Sequence, residues 1–368
     1  MASNLRRPSV LQSTTERRGS LLLAGASFLG YDGHALPLPE RLLISRIAAA
    51  SRRASKAALS PKGSSKTDKP RVIAGIGDDC AIFRSSRDRD LLVTTDFSLE
   101  GVHFRREWHS PESAGHRCLA RGLSDIAAMG GEPDLVFLSL ALPRDLPQPW
   151  ASGFLRGLLK LAEQFGVSLL GGDTAQSPAG IMADIVVVGS LRKGKAVLRS
   201  GAQPGDRIYV TGALGESAAA VQWLYSSGRK IDSKRFPRHF FPVPRVREAQ
   251  LLAARKIPSA MIDISDGLST DLSHICQASG VGAEIWRQAI PRAKPGRLGE
   301  PVAEELALHG GEDYELLFTA RPRLRVPSLV RGVSVTGIGV ITRQRGMLLV
   351  EENGARSVLR PSGWEHFR

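Results

Sequence analysis

Five acids along the 368-residue chain, Asp79, Asp96, Asp125, Asp173 and Asp263, sit at strand ends or beside glycine turns in otherwise apolar segments. Unpaired carboxylates are costly to bury, so a fold that gathers these must also gather cations. The pattern is densest between Gly75 and His103. There, Gly-Ile-Gly-Asp78-Asp79-Cys80-Ala is followed by a basic turn and then by Leu91-Leu92-Val93-Thr94-Thr95-Asp96. Two apolar, strand-like runs thus each deliver acidic and hydroxyl groups at one end. Carboxylate, hydroxyl and water oxygens are the ligands magnesium prefers, usually shared with substrate phosphates, which points to a nucleotide-phosphate site.

A chain of this length has room for two domains with full cores. Hydrophobic content of 42% with 38 Gly and 22 Pro reads as a globular α/β protein. The net charge of +14 suggests nucleic acid until it is located: residues 1–70 hold twelve Lys/Arg against four Asp/Glu, in a Ser-rich, low-complexity front section. The remainder is only mildly basic and its aromatics are not interleaved with a basic stripe, so no nucleic-acid partner is expected. Cys80, Cys118 and Cys276 show no Cys-x-x-Cys spacing, which argues against a disulfide framework or zinc site and for a reducing compartment. No apolar run approaches the roughly 20 residues of a spanning helix, so no membrane partner is expected. Arg17-Arg18 with the following Leu-rich run resembles a twin-arginine export signal. Nucleotide chemistry belongs where ATP is, so a cytoplasmic protein with a disordered basic tail over 1–36 is the expectation.

Apolar spacing predicts a first helix over about 38–51, a loop to Pro70, and strands near 71–76 and 90–95. Leu119, Leu123, Ile126 and Met129 share one face of a helix over Glu112–Met129 that also carries Asp125. A strand over Val136–Leu142, a helix over Trp150–Phe165 and a buried strand Val167–Leu170 closing on Gly171-Gly172-Asp173-Thr174 come next, then a strand over Ile181–Leu191. The pattern restarts near Arg192, dividing the chain into a tail (1–36), an N-terminal domain (37–191) and a C-terminal domain (192–368). In the second half Arg207–Thr211 reads as a strand, and the Gly212-to-Ser217 helix entry offers backbone N–H groups to an anion. Met261-Ile262-Asp263 leads into the turn Ser265-Asp266-Gly267 and a helix. Gly310-Gly311-Glu312-Asp313-Tyr314-Glu315 is another glycine turn feeding acids into a strand, and strands near 333–340 and 346–350 finish the sheet.

A cage of carboxylates suits phosphoryl transfer, where cations neutralise developing charge and align donor with acceptor. No Ser-His-Asp arrangement, nucleophile elbow, phosphate-binding Gly-x-x-x-x-Gly-Lys loop or protein-kinase signature is present.

Gly-Ile-Gly-Asp-Asp-Cys-Ala, Thr-Thr-Asp-x-x-x-Glu-Gly-Val-His-Phe, Leu-Ser-Asp-Ile-Ala-Ala-Met-Gly, Gly-Gly-Asp-Thr, Arg-Ser-Gly-Ala-x-Pro-Gly-Asp, Ile-Ser-Asp-Gly-Leu and Gly-Gly-Glu-Asp-Tyr-Glu-Leu follow one another across about 40–367. In that order they resemble the thiamine-monophosphate kinases, within the aminoimidazole-ribonucleotide synthetase-like superfamily. The resemblance implies transfer of the ATP γ-phosphate to thiamine monophosphate, two α/β (α+β) domains with mixed sheets packed by helices, a homodimer and several magnesium ions. It implies metal ligands at Asp79, Thr94, Thr95, Asp96, Asp125, Asp173, Asp263 and Asp266, with Asp96, Asp125 and Asp266 nearest the chemistry. It further implies ATP contacts at Gly172, Asp173, Arg199 and Ser265, and thiamine-phosphate contacts at His103, Glu312 and Trp364. An aromatic ring over a cationic thiazolium is physically sensible.

Two departures stand out. Ala175-Gln176-Ser177-Pro178 replaces the Thr-Arg-Gly-Pro usual after Gly-Gly-Asp-Thr, removing an arginine, and Gly122 stands where Asn is frequent. The competing readings are aminoimidazole-ribonucleotide synthetase and a catalytically silent thiamine-phosphate binder. The Gly-Glu-Asp-Tyr-Glu-Leu stretch disfavours the first, and the intact set of acids disfavours the second.

Overall fold

The computed structural model describes residues 71–74, 78–84, 88–227, 232–296 and 299–367. The expected tail, first helix and Ser-rich loop lie outside them. The first sheet contains β1 (Arg71–Ala74), β2 (Ala81–Arg84), β3 (Arg89–Leu99), β4 (Glu132–Pro143), β5 (Ser168–Ser177) and β6 (Met182–Arg192), in the order β1-β2-β3-β6-β4-β5. All neighbours are antiparallel except β4 and β5.

The second sheet contains β7 (Arg207–Thr211), β8 (Pro258–Asp263), β9 (Gly282–Trp286), β10 (Leu316–Ala320), β12 (Val333–Thr342), β13 (Gly346–Val350) and β14 (Arg356–Val358). Its order is β14-β13-β9-β12-β7-β10-β8, with β11 (Leu329–Val330) paired to β12 and the β9/β13 pair parallel. The expected mixed sheets are therefore present.

Helices α1 (Pro111–Ala128) and α2 (Gln148–Phe165) cover one face of the first sheet. The second sheet is accompanied by α3 (Glu216–Ser227), α4 (Pro237–Phe240), α5 (Val246–Ala254), α6 (Leu268–Ser279) and α7 (Glu304–His309). Helix α1 begins where expected: Ser110 accepts a hydrogen bond from the Ser113 amide at 3.1 Å, and Pro111 occupies the first turn, where its missing N–H costs nothing. Its apolar residues Leu119, Leu123 and Ile126 are fully buried in one core that also takes Val246, Leu252, Met261, Leu316 and Phe318 from the second half. The helix is thus a shared wall between the two sheets.

Helices α1 and α2 approach through glycine. A Cβ at Gly157 would lie 1.9 Å from the Glu112 carbonyl oxygen, and one at Gly115 would lie 1.8 Å from that of Phe154. Gly157→Ala is expected to destabilise the protein by about 2 kcal/mol, because overpacking against backbone outweighs the better helix propensity of alanine. Denaturant unfolding checks this, and an unchanged midpoint would show that the helices can part freely.

One sequence segment needs two corrections: the strand expected to be buried is an edge strand that is mostly exposed, Leu170 included. Gly171-Gly172-Asp173-Thr174 does not follow its strand but lies within β5, which stays paired to β4 as far as Ser177. The register shifts between Val136 and Phe137, and the Leu138 carbonyl then crowds Gly172 so closely that a Cβ there would sit 1.7 Å away. The glycines let the strand continue where any side chain would have stopped it.

Candidate active site

A cleft of about 670 Å³ lies between the two sheets. Its wall takes Asp96 from β3, Arg121 and Asp125 from α1, Asp263 from the end of β8, and Ser265 and Asp266 from the turn that follows. His103, Glu312 and Trp364 line it as well.

At one end, single carboxylate oxygens of Asp79, Asp125 and Asp263 lie within 4.8 Å of one another. These residues come from three separate segments, so only the folded chain brings them together. Thr94 donates to Asp125 at 2.5 Å, and Ser124 donates to Asp263 at 2.6 Å. Burial pushes the Asp125 carboxyl well up, and the charges of Asp96, Asp263 and Asp79 add to it. Burial and the Asp79 charge likewise raise Asp263. Asp96 is raised by burial against the opposing pull of Arg121. Mutually repelling buried acids of this kind fit a hard divalent cation, which their oxygens would ligate directly.

Arg199 grips Asp79 with two bonds, Nη2 to Oδ1 at 2.7 Å and Nε to Oδ2 at 2.9 Å. Neighbouring Asp78 receives the Arg199 amide at 3.3 Å, while burial and Asp79 lift its pKa to about 6.

Asp266 sits on a turn built by its own helix. Asp271, in the first turn of α6, accepts the amides of Asp266 at 3.2 Å and Gly267 at 3.0 Å. The Ser265 carbonyl receives the Glu312 amide at 2.8 Å, and the Asp266 carbonyl receives that of Trp364 at 3.0 Å. Ser265, Asp266, Glu312 and Trp364 are therefore positioned by one another's backbones. Glu312 and Tyr314 take φ of +65° and +51°, a conformation rare outside glycine and characteristic of functional loops.

At the other end of the cleft His103 accepts the Leu99 amide on Nδ1 at 3.0 Å. Burial first, then Arg121, His366 and Arg117, press its pKa down to about 3. A neutral ring that accepts on Nδ1 carries its proton on Nε2, so His103 is a hydrogen-bond donor there. Trp364, 54% exposed, stands at the rim with its ring 5.7 Å from that of His366.

Two of the expected ligands are not brought to this cage. β3 alternates faces, so Thr94 and Asp96 point toward α1 while Thr95 points to the outer face, donating to Asp184 at 2.6 Å. Asp173, on β5, lines a small depression on that outer face with Asp184, Phe97 and Met182. Gly172 lies on the same edge strand. At the helix entry after Gly212 the Gly215 amide donates to Asp313 at 2.7 Å, so this N–H is already paired within the chain.

Sequence reasoning missed Arg117 and Arg121. Arg117, 4% exposed, donates to Glu312 at 2.6 Å, to the His103 carbonyl at 3.2 Å and to the His239 carbonyl. Arg121 reaches Asp96 at 3.3 Å and Glu312 at 3.8 Å. Burial favours an ionised Glu312 the least, yet Arg117 and Arg121 outweigh it and hold the carboxyl below its usual range. Positions 117, 121 and 125 recur every four residues, a polar stripe on an otherwise apolar helix, and that spacing was readable.

Beside Arg117 lie two buried imidazoles, His109 and His239, whose Nε2 atoms have no hydrogen-bond partner. Burial, then Arg117, lowers His109 to about 3, and burial also drives His239 well down. Both are neutral when folded but bind protons once unfolded, at pKa about 6.5. Their stabilisation is present above that pH and is lost as pH falls toward the folded value, by about 1.4 kcal/mol per pH unit per histidine. Unfolding free energies between pH 7 and pH 5 should fall less steeply in His109→Gln than in the wild type. Equal slopes would show that the imidazole does not titrate on unfolding.

Residues 77–191 match the AIR synthase related protein N-terminal domain and residues 203–360 the corresponding C-terminal domain. Fold and cleft together thus define a two-domain protein of the AIR synthase related class. Thiamine-monophosphate kinase of Escherichia coli (strain K12) is 38% identical over 306 residues, 80% of this chain and 92% of that protein. The enzyme of Buchnera aphidicola subsp. Schizaphis graminum is 36% identical over 316 residues, 83% and 96% respectively. Among solved structures, one described as AaThiL complexed with AMPPCP and TMP aligns with a TM-score of 0.74 at 30% identity, covering 90% of this chain and 99% of that one. Thiamine-monophosphate kinase from Stenotrophomonas maltophilia K279a aligns with a TM-score of 0.64 at 33% identity, covering 82% and 95%. The chain belongs to the thiamine-monophosphate kinase family.

Proposed function

We infer that the protein transfers the γ-phosphate of ATP to thiamine monophosphate, giving thiamine diphosphate and ADP. The observation that carries this reading is the convergence of Asp79, Asp125 and Asp263 at one end of a cleft whose other end presents His103, Glu312 and Trp364. Magnesium is the cation this reading assigns, because every donor is a hard oxygen. Asp79, Thr94, Asp96, Asp125, Asp263 and Asp266 would hold it. When bound, it neutralises phosphate charge and orients the γ-phosphoryl group for in-line displacement.

An oxygen of the acceptor phosphate attacks the γ-phosphorus. The bond from that phosphorus to the β,γ-bridging oxygen breaks, and its electron pair stays on ADP. From the acceptor dianion no proton is released, so this step needs no general base. His103 donates from Nε2, Glu312 faces the cationic thiazolium, and Trp364 covers an aromatic ring. Arg199 and Ser265 would reach the nucleotide.

A homodimer completes the proposal. The outer face of the first sheet leaves Phe97, Phe137 and Met182 exposed around Asp173 and Asp184, a surface suited to a second copy. Asp173, Thr95 and Gly172 would then serve from that junction. Among the described residues no helix is long and apolar enough to cross a membrane. The cytoplasm, where ATP is made available, is the compartment proposed.

The test is an assay with ATP and magnesium offering thiamine monophosphate, free thiamine and an aminoimidazole-pathway substrate in parallel. Thiamine diphosphate and ADP in equal amounts from the monophosphate alone, abolished by chelator, is the expected result. Binding without turnover would favour a silent binder.

A further inference from the structure

The reaction proposed above has an unusual electrostatic difficulty: its nucleophile is itself a phosphate. Two phosphate groups, each anionic, have to meet in a cleft walled by Asp96, Asp125, Asp263, Asp266 and Glu312. Cations on the carboxylate cage would serve the donor. Among the described residues lining this cleft, Arg121 is the one Arg or Lys.

Arg121 occupies the boundary between the two ends. It rises from α1 one turn before Asp125, with Asp96 at 3.3 Å on the metal side and Glu312 at 3.8 Å on the acceptor side. Neither contact is tight. Glu312 already has a closer partner in Arg117 at 2.6 Å, and the Asp96 carboxylate belongs to the cage. The Arg121 Nε is buried and makes no hydrogen bond, while 17% of the side chain remains open to the cleft. A guanidinium loosely held by two acids, with a donor to spare, is set up to exchange them for a phosphate, which its planar fork matches bidentately.

We propose that Arg121 binds the phosphate of the acceptor and screens it from the incoming γ-phosphoryl group. This assignment rests on the kinase reading. Arg117 remains a positioning residue, holding Glu312 and two backbone carbonyls, whereas Arg121 touches substrate. The acceptor phosphate is thereby placed beside Asp96, next to the cage.

The experiment compares wild type with Arg121→Gln and Arg121→Lys, full-length, for equilibrium binding of thiamine monophosphate and of free thiamine without ATP. Arg121→Gln should weaken monophosphate binding about 10- to 100-fold, as expected for a lost charge-assisted contact, and change thiamine binding less than about threefold. Arg121→Lys should recover part of the difference, because a point charge replaces the fork. Turnover should show a matching drop in kcat/KM for the acceptor with the KM for ATP nearly unchanged. Equal losses for both ligands, or none for either, would reduce Arg121 to a partner of Asp96 and Glu312. Should the glutamine variant fail to fold, an unchanged monophosphate-to-thiamine ratio in Arg121→Lys overturns the proposal by itself. Lack of wild-type turnover would instead overturn the kinase reading, so the two failures are distinct.

Discussion

Asparagine at position 125 is expected to lower kcat by about a thousandfold or more while raising the melting temperature of the metal-free protein. The first effect follows from removing a hard anionic ligand from the middle of the cage, where charge on the transferring group has to be neutralised. The second follows from repulsion. Asp125 is buried among Asp96, Asp263 and Asp79, and burial together with those charges disfavours its ionised form. Asn keeps an oxygen for the 2.5 Å bond from Thr94 and stays neutral there without taking up a proton. The gain should be about 1–2 kcal/mol, a few degrees in a chain of this size. Magnesium should then stabilise the wild type more than the variant, the difference growing as pH rises and the wild-type acids ionise. Thermal unfolding with and without the metal, beside a turnover assay, reads both effects. Near wild-type turnover would remove Asp125 from the cage.

The second large effect is expected at Arg117. Its guanidinium is almost wholly enclosed and holds Glu312, the His103 carbonyl and the His239 carbonyl. Arg117→Met would leave a half-buried carboxylate with only the 3.8 Å contact to Arg121, and two carbonyls without their donor, a loss of about 2–4 kcal/mol, below that of a fully buried broken pair. Burial alone pushes the Glu312 carboxyl upward, and Arg117 is the largest influence opposing it. Its removal should therefore raise the Glu312 pKa and weaken acceptor binding as pH falls through the new value. Arg117→Lys, which keeps the charge but not the fork, should restore part of the stability. Urea unfolding and the pH dependence of KM for thiamine monophosphate measure the two consequences. A variant as stable as wild type would show that these groups find other partners.

Much of the cage was legible because acids in apolar runs have few explanations. Asp79, Asp125 and Asp263 could be singled out by the mismatch between their charge and their neighbours. The helix bearing Asp125 was legible from its apolar spacing. What the sequence did not show is which face each of several consecutive residues takes. Thr94, Thr95 and Asp96 lie in one strand, and a strand turns successive side chains to opposite faces, so Thr95 and Asp96 could not share a site on one surface. Asp173 was placed on a turn for a different reason: glycines that signal a turn in isolation can also admit a strand beside a bulge, and only the partner strand decides. Arg117 and Arg121 were overlooked because basic residues on a helix ordinarily face water. Their four-residue spacing onto Asp125 was the available clue.

The core that passes through α1 bears on how substrates enter and leave. Enzymes of two lobes often open by rotating one lobe about a hinge, which requires an interface that can part. Here Leu119, Leu123 and Ile126 are sealed in the same apolar mass as Leu252, Met261 and Phe318, so rotation would have to tear a continuous interior. Access must instead come from the rim. The turn from Gly101 to His109 and the segment around Trp364 border the cleft without belonging to either sheet, so they form the rim that substrates pass. The spacing of the carboxylates is thereby fixed by the same interior that joins the two sheets.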